Sequence, residues 1–256
     1  MGLRSLRVES LALEAGDVAR LAAALPELDV TGVTLPRAAT AAATAAPAPL
    51  SWPLPPALRH LSLEFAEVAA LAALRPPASL EVLAISNGHM ELTVNLTALA
   101  DDGGHLRGEA APIGHAAWMS ELRPMGLRAL RLERLALEAG DMVQLAAAVP
   151  ELEELSFRFC QLPPDALLVL RHLPRLRWLE ILDWDEFWPD EMPEETLRCQ
   201  LLGLCAGEAG APDLSLRFGT DEKELRVCLR SAVGWVTQQL PLLRCHRRVE
   251  AEVGSF

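Results

Sequence analysis

Residues 126–152 read GLRALRLERLALEAGDMVQLAAAVPEL and residues 2–28 read GLRSLRVESLALEAGDVARLAAALPEL; the two align without a gap and differ at seven of 27 positions. Chance does not produce such a match, so part of the chain is an internal duplication at an offset of 124 residues. Further leucine-led units begin near Leu28, Leu58, Leu80, Leu106 and Leu127, in steps of 21 to 30 residues that together span the same 124 from Leu3. A block of about five units has been duplicated, and units of that length mark a stacked repeat array.

Within a unit, spacing dictates structure. Leu152-x-x-Leu155-x-Phe157-x-x-Cys160-x-Leu162 follows the pattern L-x-x-L-x-L-x-x-N/C-x-L at every position, and Leu3, Leu6, Val8, Leu11 and Leu13 follow all but the polar one. Apolar residues at period two make a short strand with one buried face. The stretches that follow, residues 16–25 (GDVARLAAAL), 66–74 (AEVAALAAL), 140–149 (GDMVQLAAAV) and 163–173 (PPDALLVLRHL), carry apolar residues three and four apart. Gly16-Asp17 and Pro163-Pro164-Asp165 are start signals, while Pro26, Pro76, Pro150 and Pro174 stop the helices because proline has no N–H and clashes with the preceding turn. Each unit therefore reads strand, turn, helix, turn. Strands are predicted near residues 5–8, 30–33, 60–63, 82–85, 129–132, 154–157, 178–181 and 213–216, parallel and in one sheet. Their inward residues are Leu6, Val8, Leu61, Leu63, Leu83, Ile85, Leu130, Leu132, Leu155, Phe157, Leu179 and Ile181.

On these residues the chain resembles the leucine-rich-repeat proteins, and within them the ribonuclease-inhibitor-like branch. The strand motif, Cys160 at the Cys/Asn position and the helical signature A-x-x-L-A-x-A-x-P-x-L at residues 142–152, with Met142 in place of its first alanine, carry the resemblance. It covers roughly residues 2–35, 58–90 and 126–182. It implies an α/β solenoid, a horseshoe with parallel strands on the concave face and helices on the convex face. It also implies a protein that binds other proteins through the concave face and rarely does chemistry.

Other stretches depart from the repeat. Residues 36–57 (PRAATAAATAAPAPLSWPLPPA) hold six prolines among alanines and threonines, which no regular helix accommodates, so a loop is expected there. Around residues 100–125 the leucine spacing fades, marking a degenerate repeat or the seam between the halves. The array is expected to occupy residues 1–219, with residues 220–256 a C-terminal capping helix and tail. In that helix Leu225, Leu229, Val233, Val236 and Leu240 share one face, and Asp221 with Glu224 has capping-box spacing. The first repeat strand begins almost at Met1 with no polar cap ahead of it, which suggests a preceding N-terminal piece.

Composition excludes several function classes. With 256 residues, 51% of them hydrophobic, the chain can bury a core without disulfides or metals. A formal net charge of -12 repels a polyanionic backbone, so nucleic acid is not an expected partner. The five cysteines are odd in number and clustered late, unlike a secreted disulfide framework. Arg4, Arg7 and Glu9 interrupt what would be a leader, and no run approaches the roughly 18 apolar residues of a membrane span. The sequon Asn95-Leu96-Thr97 is then a chance match, and the chain is expected to be intracellular, cytoplasmic or nuclear, away from membranes, and a monomer.

Chemical motifs are sparse. Cys199 and Cys205 are six apart, a spacing that does not share a helix face, and with Cys228, Cys245 and His246 they form no C-x-x-C pair, so buried core thiols are favoured over zinc. Asp183-Trp184-Asp185-Glu186 resembles the opening of a calcium loop, but Phe187, Trp188 and Pro189 replace its later ligands. The six histidines are scattered, and no nucleophile-elbow, zincin, phosphate-loop or dinucleotide motif occurs. No cofactor, metal or catalytic residue is assigned, and the chain reads as a non-catalytic interaction scaffold rather than an enzyme or effector built on a solenoid. A subtype is a substrate-recognition adaptor of a multisubunit complex such as a ubiquitin ligase. The opening residues hold no F-box-like helix, and that label is not assigned.

Strand geometry places the candidate site, because residues between the buried leucines face the opposite side. The early strands put Ser5, Arg7, Glu9; His60, Ser62, Glu64; and Val82, Ala84, Ser86 there, a sparser set. The later ones concentrate Arg131, Glu133, Glu154, Arg158, Trp178 and Glu180 in neighbouring rows. Two readings stand, a self-neutralising salt-bridge ladder and a partner site with Trp178 as anchor and Arg131 and Arg158 on carboxylates. A secondary candidate is the acidic segment 183–195, seven acids in 13 residues with Trp184, Phe187 and Trp188, either a cover for the core end or a docking loop.

Overall fold

The computed structural model describes residues 5–12, 29–34, 59–65, 78–87, 115–123, 125–163, 165–182, 193–206, 211–220, 223–242 and 248–254. They form a single nine-stranded parallel sheet in which every strand lies beside its neighbour in sequence. The strands are β1 (Ser5–Ala12), β2 (Asp29–Thr34), β3 (His60–Phe65), β4 (Val82–Asn87), β5 (Ala129–Glu133), β6 (Glu154–Arg158), β7 (Trp178–Leu182), β8 (Leu214–Gly219) and β9 (Val249–Gly254). The helices are α1 (Ala116–Ser120), α2 (Ala139–Ala148), α3 (Ala166–Leu170), α4 (Glu194–Ala206) and α5 (Lys223–Gln239). The molecule is thus α/β with one parallel sheet, as the strand-and-helix alternation predicts.

All eight predicted strands are present; β3 to β8 pair without a register shift, while the β1–β2 and β2–β3 pairings each carry an irregularity. Leu61, Leu83, Leu130, Leu155, Leu179 and Leu216 stack across adjacent strands as one continuous row, and Leu63, Ile85, Leu132, Phe157, Ile181 and Phe218 form the next. All twelve are at most 3% exposed. Of the predicted inward residues, the side chains of Leu6 and Val8 lie outside the described residues.

A turn recurs at the end of β5 and β6. Arg134 and Phe159 hold equivalent positions and both adopt positive φ (56° and 50°), a left-handed conformation that costs a residue with a Cβ about 1 kcal/mol or more. Beyond each turn the chain returns to the parallel register through the bridge Ala136–Gln161. The buried thiol of Cys160 donates to the carbonyls of Leu132 and Arg158, both at 3.3 Å. That position wants a compact donor able to satisfy the backbone inside the turn, which accounts for cysteine there.

Helix α2 begins where a capping box forms: Glu138 accepts from the N3 backbone, and the Asp141 carboxylate accepts from the Glu138 N–H at 3.0 Å. The same carboxylate accepts from the backbone N–H of His115 at 2.9 Å and so ties α2 to the start of α1. The Trp118 indole donates to His115 Nδ1 at 3.0 Å, fixing the neutral tautomer of a ring that is 1% exposed. Burial pushes the His115 pKa down; Asp141, the Ala136 backbone and Glu138 oppose this without reversing it.

Several expectations are revised. The tail is not outside the array: β9 pairs with β8 over six residues, so the sheet runs through the boundary expected at residue 219, and α5 lies between two strands rather than closing the end. The sequence reading missed β9 because Val249, Ala251 and Val253 supply a weak apolar alternation with no leucine. Within α5, Leu225, Leu229 and Val236 are buried as expected, with Ala232, while Asp221 of the expected capping box lies outside the described residues. The faded region yields α1, and β4 pairs directly with β5, so no strand stands between them in the sheet. The loop expected at 36–57, the helices expected at 16–25 and 66–74, residues 100–114 and the aromatics Trp184, Phe187 and Trp188 lie outside the described residues. No helix among the described residues is long and apolar enough to cross a membrane.

Candidate functional site

Parallel pairing brings the outward residues into cross-strand rows. Ala129, Glu154, Trp178, Ser215 and Glu250 share one row, and Arg131, Ser156, Glu180, Arg217 and Glu252 share the next. Neighbouring strands stand about 4.8 Å apart, so adjacent members of a row touch or nearly touch. On the open face of β5, β6 and β7 these rows bound a groove of about 360 Å³ lined by Ala129, Leu130, Arg131, Glu154, Leu155, Ser156, Arg158, Trp178 and Glu180.

The groove thus holds five of the six residues singled out from the sequence. The sixth, Glu133, is not among its lining residues and pairs with Arg134 at 3.2 Å.

The five are not equivalent. Glu180 is 6% exposed and its oxygens are taken. Ser156 Oγ donates to Oε2 at 2.8 Å, Arg158 reaches Oε2 at 3.3 Å, and Arg217 reaches Oε1 at 3.1 Å. Burial raises the Glu180 pKa, but the Ser156 hydroxyl and the Arg158 and Arg217 guanidiniums outweigh it and hold the carboxyl below the ordinary glutamate value. An ionised glutamate beneath two arginines is an internal brace. It stiffens the floor of the groove and removes Glu180 from use by a ligand, while Arg158 gives one nitrogen to it and keeps the rest of its guanidinium exposed. Arg217 was missed by the sequence reading, which placed a strand at 213–216 without assigning its outward rows; the alternation Leu214, Leu216, Phe218 points to Ser215 and Arg217.

The other three stay open. Arg131 and Glu154 are exposed, and among the described residues neither side chain makes an ion pair or hydrogen bond. Trp178 is 38% exposed, large for an indole on a folded surface. The ladder reading therefore holds for Glu180, Arg158 and Arg217, and not for Arg131, Glu154 and Trp178.

The thiols divide. Cys160 and Cys205 are buried, as core thiols should be, whereas Cys199 is exposed and Cys228 half-buried; Cys245 lies outside the described residues. Burial pushes the Cys160 pKa up to about 12, which makes this thiol a poor nucleophile. No group of three or more His, Cys, Asp or Glu among the described residues is placed to hold a metal ion. Comparison with family models, with curated proteins and with solved structures finds no match to this chain.

Proposed function

We propose that the chain is a non-catalytic interaction scaffold, a leucine-rich-repeat solenoid of the ribonuclease-inhibitor-like kind, that binds a partner protein through the open face of its sheet. The sequential parallel strands, the buried leucine rows and the Cys160 turn support the solenoid part of the reading.

The binding part rests on one observation. A half-exposed tryptophan stands in a groove whose floor is a locked ion-pair network and whose rim keeps an unpaired Arg131 and Glu154. A rigid aromatic anchor ringed by polar groups is how interface hot spots are built, and tryptophan and arginine dominate them. Catalysis has less support at this groove. Ser156 donates to a carboxylate that two arginines hold ionised, which does not assemble a nucleophile with a base.

The test is affinity capture with wild type and Trp178→Ala, followed by a binding measurement on the purified partner. A hot-spot tryptophan is worth about 2 kcal/mol or more, so affinity should fall roughly thirtyfold while the melting temperature is unchanged. Equal affinity in the two proteins would move the binding surface elsewhere.

A further inference from the structure

Phe159, Trp178 and Trp235 are described aromatics that stand outside the core. Two of them are finished in the same way. The Arg134 guanidinium lies 5.5 Å from the centre of the Phe159 ring and pairs with Glu133 at 3.2 Å. The Arg198 guanidinium lies 5.7 Å from the Trp235 ring and pairs with Glu194. In each case a cation is held between an aromatic face and a carboxylate, and the two attractions act on the same group.

Trp178 has the ring and the carboxylate but not the cation. Glu154 is its direct cross-strand partner in register, is exposed, and makes no ion pair among the described residues. The nearby guanidiniums of Arg158 and Arg217 are drawn to Glu180. We infer that Trp178 and Glu154 form a binding site for a cationic side chain of the partner, an arginine or lysine laid on the indole and paired with the Glu154 carboxylate. The inference rests on the groove being the partner surface and names the chemistry of what enters it.

Two further considerations agree. The net charge of -12 draws basic segments toward the molecule and repels acidic ones. The opposite assignment, a partner carboxylate held by Arg131 and Arg158, has only Arg131 free of an ion pair, since Arg158 gives one nitrogen to Glu180 at 3.3 Å.

The experiment uses two acetylated, amidated glycine-serine peptides, one carrying two arginines and the other two glutamates in the same places, titrated into the full chain at moderate salt. The arginine peptide should bind. Glu154→Gln and Trp178→Ala should each weaken it about tenfold, Glu154→Asp should retain most of the binding, and Arg131→Ala should leave it equal or tighter. Arginine-peptide binding that survives both Glu154→Gln and Trp178→Ala would be diffuse attraction to an acidic protein and would overturn the inference. Preference for the glutamate peptide, lost in Arg131→Ala, would also overturn it while leaving the groove as the partner surface. Binding of neither peptide overturns it too, and the natural partner's response to Trp178→Ala then decides the wider reading separately. A circular-dichroism melt of each variant confirms that it is folded.

Discussion

Truncating Leu130 to alanine tests the stacked-row architecture most directly. Leu130 lies in β5, the fifth of nine strands, with Leu83 on one side and Leu155 on the other, and all three are 0% exposed. Removing three carbon groups forfeits about 0.8 kcal/mol of transfer free energy each, roughly 2.4 kcal/mol together. The remainder depends on how far the site collapses. Residues fixed on both sides by parallel pairing cannot follow the lost volume, so a cavity term adds about 24 cal/mol for each Å³ left empty and brings the total to roughly 3–5 kcal/mol. In a chain of this size about 1 kcal/mol moves the melting temperature by 2–4 °C, so Leu130→Ala should melt at least 6 °C lower. Val253→Ala in edge strand β9, where the residue is only partly buried, is the control and should cost under about 1.5 kcal/mol. Urea melts followed by far-ultraviolet circular dichroism supply both values. Equal small losses in the two variants would refute the continuous row, because they would mean that the centre of the sheet is no better packed than its edge.

Three further outcomes follow from the buried polar groups. Because the folded His115 pKa lies below the free value near 6.5, stability should be complete above that pH and decline as pH falls through it, and His115→Asn should flatten the decline in a pH series of thermal melts; an unchanged slope would mean that the fold does not hold the His115 ring buried and neutral beside Trp118. The Glu180 pKa is likewise depressed, so its contribution is present above about pH 4.5 and lost at more acid pH, and Glu180→Gln should lower stability at pH 7 while removing part of the acid-limb slope. Iodoacetamide at pH 8 should label the exposed Cys199 in the folded protein and spare Cys160 until denaturant is added, as peptide mass mapping would report; early labelling of Cys160 would contradict its buried turn.

The fold was legible where burial alone selects the residue. Leucines at period two recur because one sheet face must be apolar, so every strand carrying that signal was found, down to the register that sets Leu130 beside Leu155. β9 escaped because an edge strand buries less and tolerates Val249, Ala251 and Val253 in place of leucine. The groove was legible for a related reason: period two fixes which residues face away from the core, and β5, β6 and β7 carry charged and aromatic residues there. How those residues divide their hydrogen bonds was not legible. Nothing in the order Glu154, Trp178, Glu180 says that Glu180 will be buried under Arg158 and Arg217 while Glu154 stays open, because Arg217 lies 37 residues from Glu180 and reaches it only through the β7–β8 pairing.

The duplication offers an internal check on both conclusions. Of its seven differences, four exchange one apolar residue for another: Val8/Leu132, Val18/Met142 and Leu25/Val149, at most 1% exposed in the second copy, and Ala19/Val143, where Val143 is exposed. The changes that alter polarity or charge are Ser5/Ala129, Ser10/Arg134 and Arg20/Gln144. Two of these three lie on or beside the outward rows: Ala129 lines the groove, and Arg134 covers Phe159. In the second copy, which the structure describes, the buried positions differ from the first copy in sequence only by apolar exchanges apart from Ser5/Ala129.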